Sequence, residues 1–263
     1  MTSLERMINI LDLFDGSRME WAIEDLHARL GLTRSTLYRY LKVLTDAGLL
    51  TSLPDIGYTL GPRIAELDYQ MRQRDPMIVA ARPVMAQLVE TVPGIALLCR
   101  RYRDRVLCVH QEQNTQTFQS NYERGKSRPL LRGAASRIIL ANMPLAAIRK
   151  LHAAQAADFE AAGYGASLDT ARAILRDIRQ QGWDSTAADV TPGVTGIAAP
   201  VFDRRGSVLG SLSITVGQAQ LAQDRLRTIA DRVVFGAAIV TKAIARDNSP
   251  EMNGAEDRDF GQP

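Results

Sequence analysis

Residues 33–42 hold side chains that can bind phosphates and contact the edges of base pairs. An arginine guanidinium can form two hydrogen bonds to guanine O6 and N7, whereas hydroxyls can donate to phosphates and a lysine neutralises charge. If this stretch is a helix, its outward side carries all three groups. The candidate DNA-contacting residues are Thr33, Arg34, Ser35, Thr36, Tyr38, Arg39 and Lys42.

The neighbouring segments predict the elements that position this face. Thr33 can cap a helix over residues 34–47, and a shorter helix over residues 23–30 precedes it and ends at Gly31. Two short helices joined in this way are typical of a helix-turn-helix. The apolar segments 49–53 and 58–60 flank the turn-forming residues 54–57, which predicts a β-hairpin, the wing. Tyr58 in this wing is a further candidate for DNA contact.

An exposed helix face with cations can also be a merely solvated surface, so the neighbouring elements carry the argument. The charge of the region gives no help, because residues 1–63 hold seven Lys and Arg against eight Asp and Glu. Residues 100–137 hold nine against three, a local excess of +6. DNA binding is therefore inferred from the helix-turn-helix pattern and not from a bulk positive charge.

Two further apolar helix faces indicate self-association. A helix over residues 4–14, with Ser3 as its cap, is predicted to present Leu4, Met7, Ile8, Leu11 and Phe14, and a linker helix over residues 62–74 to present Ile64, Leu67 and Met71. Because one winged helix buries little DNA surface, we expect these faces to join two protomers into a homodimer on a palindromic operator.

The second half of the chain predicts an α+β domain, because hairpins and helices mix without regular alternation. We expect domains at residues 1–62 and 76–248, joined by a linker at 63–75 and followed by a disordered tail at 249–263. The expected helices cover 78–92, 131–141, 145–157, 168–180 and 221–245, and the expected strands cover 95–101, 106–111, 194–202 and 208–216.

One predicted strand alternates hydroxyl and aliphatic side chains. Ser211, Ser213 and Thr215 alternate with Leu212, Ile214 and Val216, so the hydroxyls share one face of the strand. That face can be exposed to water, or it can line a ligand cavity. The strand pattern alone leaves both interpretations open.

Composition and motifs exclude several classes of protein. With 263 residues, 46% hydrophobic and 23% charged, the chain is expected to be a soluble globular protein of one or two domains. No apolar stretch is long enough to span a membrane, and the N-terminus lacks the features of a secretory signal. Two cysteines are too few for a disulfide framework, which favours the cytoplasm.

No enzyme motif is present, so we expect no catalytic residue, metal site or cofactor. Nucleotide-binding glycine loops, the nucleophile elbow and the zinc-protease motif are all missing. His27, His110 and His152 are far apart, and His110 with Cys108 is too small a set for zinc. His110 and Cys108 are expected to be packed core residues, although Cys99 and Cys108 could face one another across the hairpin as a redox sensor.

Several stretches together resemble the IclR family of bacterial transcriptional regulators. The match spans about residues 3–245 and is carried by Ser3–Met7 with Ile10-Leu11, Leu32–Leu41, Gly48–Leu50, Gly57–Arg63, Pro129-Leu130, Gly193–Asp203 and Ser211–Thr215. The resemblance implies a winged helix-turn-helix, a linker helix and a C-terminal GAF-like effector-binding domain. It further implies dimers or tetramers, and an effector site at Ala134, Ala135, Asp189, Gly196, Ser213 and Thr215.

The chain departs from the family where that site begins. The usual Pro-Leu-His-Ala-Thr-Ala-x-Gly-Lys stands here as residues 129–137, with Leu131 for the histidine and Arg132 for a small residue. We therefore include Leu131 and Arg132 among the candidate effector residues. Arg132, with Arg128 or Lys126 nearby, could pair with a small carboxylate effector, or these cations could serve the surface or a subunit interface.

The resulting prediction is a regulator whose C-terminal domain senses a small organic or aromatic acid and modulates operator binding, typically for a catabolic operon. The alternative is a constitutive DNA-binding regulator whose C-terminal domain serves only oligomerisation. The sequence does not decide between a repressor and an activator. The effector and the operator are not specified by the sequence.

Overall fold

The computed structural model describes residues 2–15, 17–114, 122–218, 221 and 223–246, without the side chains of 223 and 224. The expected tail at 249–263 lies outside these residues. The chain divides into two compact units, residues 1–74 and 75–263. The predicted fold class, an N-terminal helix-turn-helix followed by an α+β domain, is confirmed.

The first unit is built around the two predicted short helices. Helix α2 covers Ile23–Leu30 and ends at Gly31, whose φ of 63° is left-handed, and α3 covers Arg34–Asp46. Leu26, Leu37, Leu41 and Leu44 are buried between them. Strands β1 (Leu50–Leu53) and β2 (Gly57–Leu60) form the wing, and α4 covers Pro62–Arg74.

The first helix is shorter than the sequence predicts. Helix α1 covers only Ser3–Ile8, and a single 3-10 turn follows at Leu11–Leu13. Its cap is Thr2 and not Ser3, because the Thr2 hydroxyl and the Glu5 side chain bond each other's backbone amides. The break turns Ile10 into the core and leaves Leu4 and Ile8 exposed. The expectation of one continuous helix over residues 4–14 is therefore wrong.

The second unit contains a six-stranded antiparallel sheet in the order β5-β4-β3-β8-β7-β6. The strands are β3 Ile95–Tyr102, β4 Arg105–Gln113, β5 Ser127–Pro129, β6 Asp184–Ala187, β7 Val194–Phe202 and β8 Val208–Gly217. Strand β3 is hydrophobic on both faces, since helices pack on each side of the sheet, whereas the neighbouring β8 carries the buried hydroxyls of Ser211, Ser213 and Thr215 on one face.

Two helical layers cover the sheet. Helices α5 (Pro76–Thr91) and α10 (Gln223–Arg246) pack on one face, and Asp75 caps α5 through its carboxylate. Helix α6 (Ala134–Asn142) packs on the other face with α7 (Leu145–Ala154), α8 (Ala156–Ala161) and α9 (Leu168–Gln181). The face under α6 is the one to which Ser211, Ser213 and Thr215 point.

Four details of the second unit differ from the predictions. Helix α6 begins at Ala134 and not at residue 131, because Gly133 has a φ of 81° and Leu131 turns into the core. The helix predicted over 145–157 is two helices, since the backbone is non-helical at Gln155. Strands β5 and β6 were not predicted; both are short and lie at the edges of the sheet.

Candidate functional site

Helix α3 presents the predicted polar face to solvent. Arg34, Ser35, Tyr38, Arg39 and Lys42 are all exposed, and Tyr38 keeps 53% of its surface accessible. Lys42 also forms an exposed ion pair with Asp46 one turn on, at 3.1 Å. The face is therefore accessible to a partner as large as duplex DNA.

Other contacts fix this helix in place. The Thr33 hydroxyl accepts a hydrogen bond from the Thr36 amide at 3.4 Å and lies 2.9 Å from the Thr36 hydroxyl, so both residues act at the helix start. On the buried side, the hydroxyls of Tyr40 and Ser3 lie 2.7 Å apart and join α3 to α1. This hydrogen bond lowers the pKa of Tyr40.

Tyr58 serves the attachment of the wing. Its amide and carbonyl pair with those of Trp21 at 2.9 and 3.0 Å, and its half-buried ring packs against the core of the unit. The tip of the wing at residues 54–56 is exposed, as is Ser52 on β1, and Ile56 keeps 46% of its surface accessible.

A cavity of about 490 Å³, counted with its open mouth, lies between the sheet and the first turn of α6. Seven of the eight predicted effector residues line it: Arg132, Ala134, Ala135, Asp189, Gly196, Ser213 and Thr215. The eighth, Leu131, lies in the core at 4% exposure and does not reach the cavity.

The cavity also has walls that sequence reasoning missed. Tyr122, Thr186, Val190, Thr191 and Val194 line it, together with Leu97, Gly133 and Ser136. Thr186 comes from the unpredicted strand β6, and Tyr122 precedes the unpredicted strand β5. The alternation of hydroxyl and aliphatic residues that predicts Ser213 and Thr215 cannot be recognised in segments as short as β5 and β6.

The first turn of α6 is held by three hydrogen bonds from different elements. The amide of Gly133 donates to the Asp189 carboxylate at 2.6 Å, and the amide of Ala134 donates to the Thr186 hydroxyl at 3.1 Å. The Ser211 hydroxyl donates to the Ala135 carbonyl at 3.0 Å. The helix start therefore occupies a fixed position above the sheet, with its positive dipole end at the cavity.

The charged residues of the lining are two arginines and one aspartate. Arg128 is half-buried with its guanidinium over the Tyr122 ring at 5.0 Å, and Arg132 is exposed and donates to the Ala161 carbonyl at 3.4 Å. Asp189 is the opposing charge. The lining thus has a formal charge of +1, which suits an anionic ligand better than a cationic one.

Next to the cavity, α6 and β6 share a largely buried ion pair. Arg137 Nε lies 2.6 Å from Asp184 Oδ2, with side chains 22% and 9% exposed. Burial raises the pKa of Asp184, and the Arg137 charge opposes that rise only in part. The pair links the helix that borders the cavity to the strand that carries Thr186.

The two cysteines are cross-strand neighbours on β3 and β4, and both are buried free thiols. Burial raises the pKa of the Cys99 thiol, which disfavours the reactive thiolate. Over the described residues, no group of three or more His, Cys, Asp and Glu side chains could hold a metal ion. None of the helices in the same part of the chain has the length and apolar character needed to cross a bilayer.

Two family profiles match the chain. Residues 3–54 match the IclR helix-turn-helix domain, and residues 70–240 match the bacterial transcriptional regulator IclR C-terminal domain. The HTH-type transcriptional regulator BhcR of Paracoccus denitrificans is 26% identical over 240 residues, which cover 89% of this chain and 84% of that protein.

Solved structures show the same fold. An IclR transcriptional regulator from Silicibacter sp. TM1040 superposes with a TM-score of 0.79 at 21% identity, covering 93% of this chain and 96% of that one. An IclR homologue from Microbacterium hydrocarbonoxydans, crystallised with 4-hydroxybenzoate, superposes with a TM-score of 0.71 at 19% identity, covering 92% and 99%.

Proposed function

The chain belongs to the IclR family of bacterial transcriptional regulators, and we propose that it binds an operator through α3 and senses a small organic or aromatic acid in the cavity beside α6. The family consists of DNA-binding regulators and not enzymes, with a helix-turn-helix unit and an effector domain. The observation that carries the acid proposal is the convergence of two arginines and buried hydroxyls on one cavity.

The proposed DNA contacts are made by the exposed face of α3. Arg34 and Arg39 are proposed to contact base edges or flanking phosphates, and Ser35, Tyr38 and Lys42 are also exposed on this helix. Thr33 and Thr36 act at the start of the helix, where they set its position. Tyr58 contributes by holding the wing against Trp21.

The operator is proposed to be palindromic and bound by a homodimer, or by a tetramer built from dimers. Helices α1 and α4 bury no side chain within the chain, yet Leu4 and Ile8 of α1 and Leu67, Tyr69 and Met71 of α4 expose between 37% and 70% of their surfaces. Apolar side chains left uncovered on two helices favour a partner copy of the same unit.

The proposed effector is a carboxylate. A buried carboxylate is costly unless it is paired, and pairing with arginine and hydroxyls offsets that cost. Arg128 is the better placed partner because it is half-buried, whereas Arg132 stands exposed at the mouth. The homologue crystallised with 4-hydroxybenzoate supports an aromatic acid as one candidate, and we propose that the chain regulates a catabolic operon.

Titration calorimetry of the full chain with a panel of short organic acids and hydroxybenzoates tests this proposal. We expect at least one acid to bind, and Ser213→Ala and Arg128→Ala to weaken it several-fold. Arg172→Ala is the matched control, since Arg172 is an exposed arginine on α9 outside the cavity. Binding that is insensitive to Arg128→Ala and Arg132→Ala would refute the carboxylate assignment. No binding by any acid favours the alternative, a C-terminal domain that only oligomerises.

A further inference from the structure

The charge excess of residues 100–137 is only partly explained by the effector domain's own contacts. Arg100 pairs with Asp75 at 2.9 Å, Arg137 with Asp184 and Lys126 with Glu123. Arg128 and Arg132 border the cavity. Arg101, Arg103 and Arg105, at the turn between β3 and β4, belong to neither group.

These arginines cluster with Tyr102 at the turn, and the group is here termed the hairpin patch (Arg101, Tyr102, Arg103 and Arg105), in which Arg101 is half-buried. Tyr102 and Arg105 are cross-strand partners, and the Arg103 guanidinium lies over the Tyr102 ring at 5.3 Å. Arg101 donates to the Arg103 carbonyl at 3.1 Å. Tyr102 keeps 55% of its surface accessible, and Arg103 and Arg105 are exposed.

Two properties of the patch indicate a ligand rather than an internal role. Over the described residues, none of its three arginines forms an ion pair, and the one acid at the turn is Asp104. Arg103 also has a φ of 54°, a left-handed conformation uncommon for a side chain of its size. A hairpin turn selected for stability alone favours glycine or asparagine at such a position.

We propose that the hairpin patch binds the phosphate backbone of duplex DNA next to the operator. Arginine pairs with phosphate in a bidentate manner, and an exposed tyrosine between arginines is compatible with the same partner. Residues 1–63 have a net charge of −1, so their phosphate affinity depends on the few cations of α3. Further cations elsewhere in the chain would add to non-specific DNA binding.

The position of the patch within the second unit supports this assignment. Arg100, which precedes the patch on β3, binds Asp75, the first residue of the unit, so the patch lies at the end where the chain enters from α4. Because both units belong to one chain, binding of the first unit to DNA raises the effective concentration of DNA for the second. The proposal rests on the family's DNA binding and not on the roles assigned to residues of α3.

The test measures binding of the full chain to a duplex of about 40 base pairs without operator sequence, at about 50 to 200 mM salt. Each phosphate contact contributes about 0.9 to the slope of log affinity against log salt, so R101Q/R103Q/R105Q should lower the slope by about 2 to 3 per protomer. The matched control R149Q/K150Q/R172Q removes three exposed cations from α7 and α9 and should leave the slope unchanged. Arg103→Lys keeps the positive charge and should therefore retain the salt slope of the parent chain.

The proposal is overturned if the salt slope is unchanged in the triple variant, or if it falls equally in the control variant. An unchanged slope is also the result expected if the patch binds an acidic protein partner instead of DNA. Operator DNA provides a second readout, since hairpin variants should weaken operator and random DNA by the same factor. Arg39→Ala should weaken mainly operator binding, so a failed α3 assignment is distinguishable from a failed hairpin assignment. Circular dichroism melting checks the fold, and the single variants Arg103→Gln and Arg105→Gln replace the triple variant if it unfolds.

Discussion

The two glycines of the cavity wall should respond to alanine in opposite ways. At Gly196, an added methyl group would meet Ala134 Cβ at 3.8 Å and Thr186 Oγ1 at 3.9 Å, both ordinary contacts, and the backbone is not left-handed. Gly196→Ala should therefore keep or raise the free energy of unfolding, by about 0.4–1 kcal/mol, because the unfolded chain loses freedom. At Gly133, φ is 81° and the methyl would lie 2.9 Å from Val190 Cγ2. Gly133→Ala should cost about 1–3 kcal/mol.

Urea unfolding followed by circular dichroism measures both changes. Calorimetry then separates folding from binding, since Gly196→Ala adds a methyl group to the cavity wall and should weaken a bulky aromatic acid more than a short one. If Gly196→Ala unfolds more easily than the parent by more than about 1 kcal/mol, the space assigned to the cavity is filled in solution. If Gly133→Ala is as stable as the parent, the left-handed backbone conformation assigned to Gly133 at the start of α6 is wrong.

Three further predictions address DNA binding, assembly and pH. Arg39→Ala should weaken operator binding by about 1–3 kcal/mol with an unchanged melting temperature, measured by fluorescence anisotropy; unchanged affinity in both it and Arg34→Ala would reject the α3 assignment. Leu67→Glu should shift sedimentation toward the monomer, whereas the exposed control Gln70→Glu should not. Because the folded pKa of Asp184 is raised, the folded state holds that proton longer, so its contribution to stability falls as pH rises above about 3.8. The unfolding free energy of the parent should therefore fall relative to that of Asp184→Asn as pH rises through the folded pKa, and a difference that does not change with pH would contradict the buried carboxylate.

The local signals of the first unit were sufficient to predict α2 and α3 from the sequence. Thr33 at one helix start and Gly31 at the end of the other act through neighbouring backbone groups, so their effect is visible in a short window. The prediction for the first helix was wrong because it followed the apolar spacing over residues 4–14. The capping box that sets the helix start lies at Thr2, one residue before the predicted cap Ser3. Thr2 and Glu5 are polar and exposed, so they contribute nothing to the periodicity that was used.

The cavity was predictable only where one strand carried a repeated pattern. Ser213 and Thr215 follow from alternation along β8, but Thr186 and Tyr122 reach the site through strand order. Edge strands of three or four residues give too few positions to show a period. Leu131 was assigned to the effector site from its place in the family pattern, and the turn before Gly133 directs it into the core instead.

The central claim is that acid binding in the cavity changes operator affinity. Footprinting first identifies the operator, and calorimetry identifies an acid that binds. The most direct measurement is then the fluorescence anisotropy of the labelled operator DNA as the full chain is added, with and without a saturating concentration of that acid. Allosteric coupling of about 1–3 kcal/mol predicts a 5- to 150-fold change in Kd, lost in Ser213→Ala while its acid-free operator affinity is retained. An acid that occupies the cavity yet leaves the operator Kd unchanged would contradict the claim.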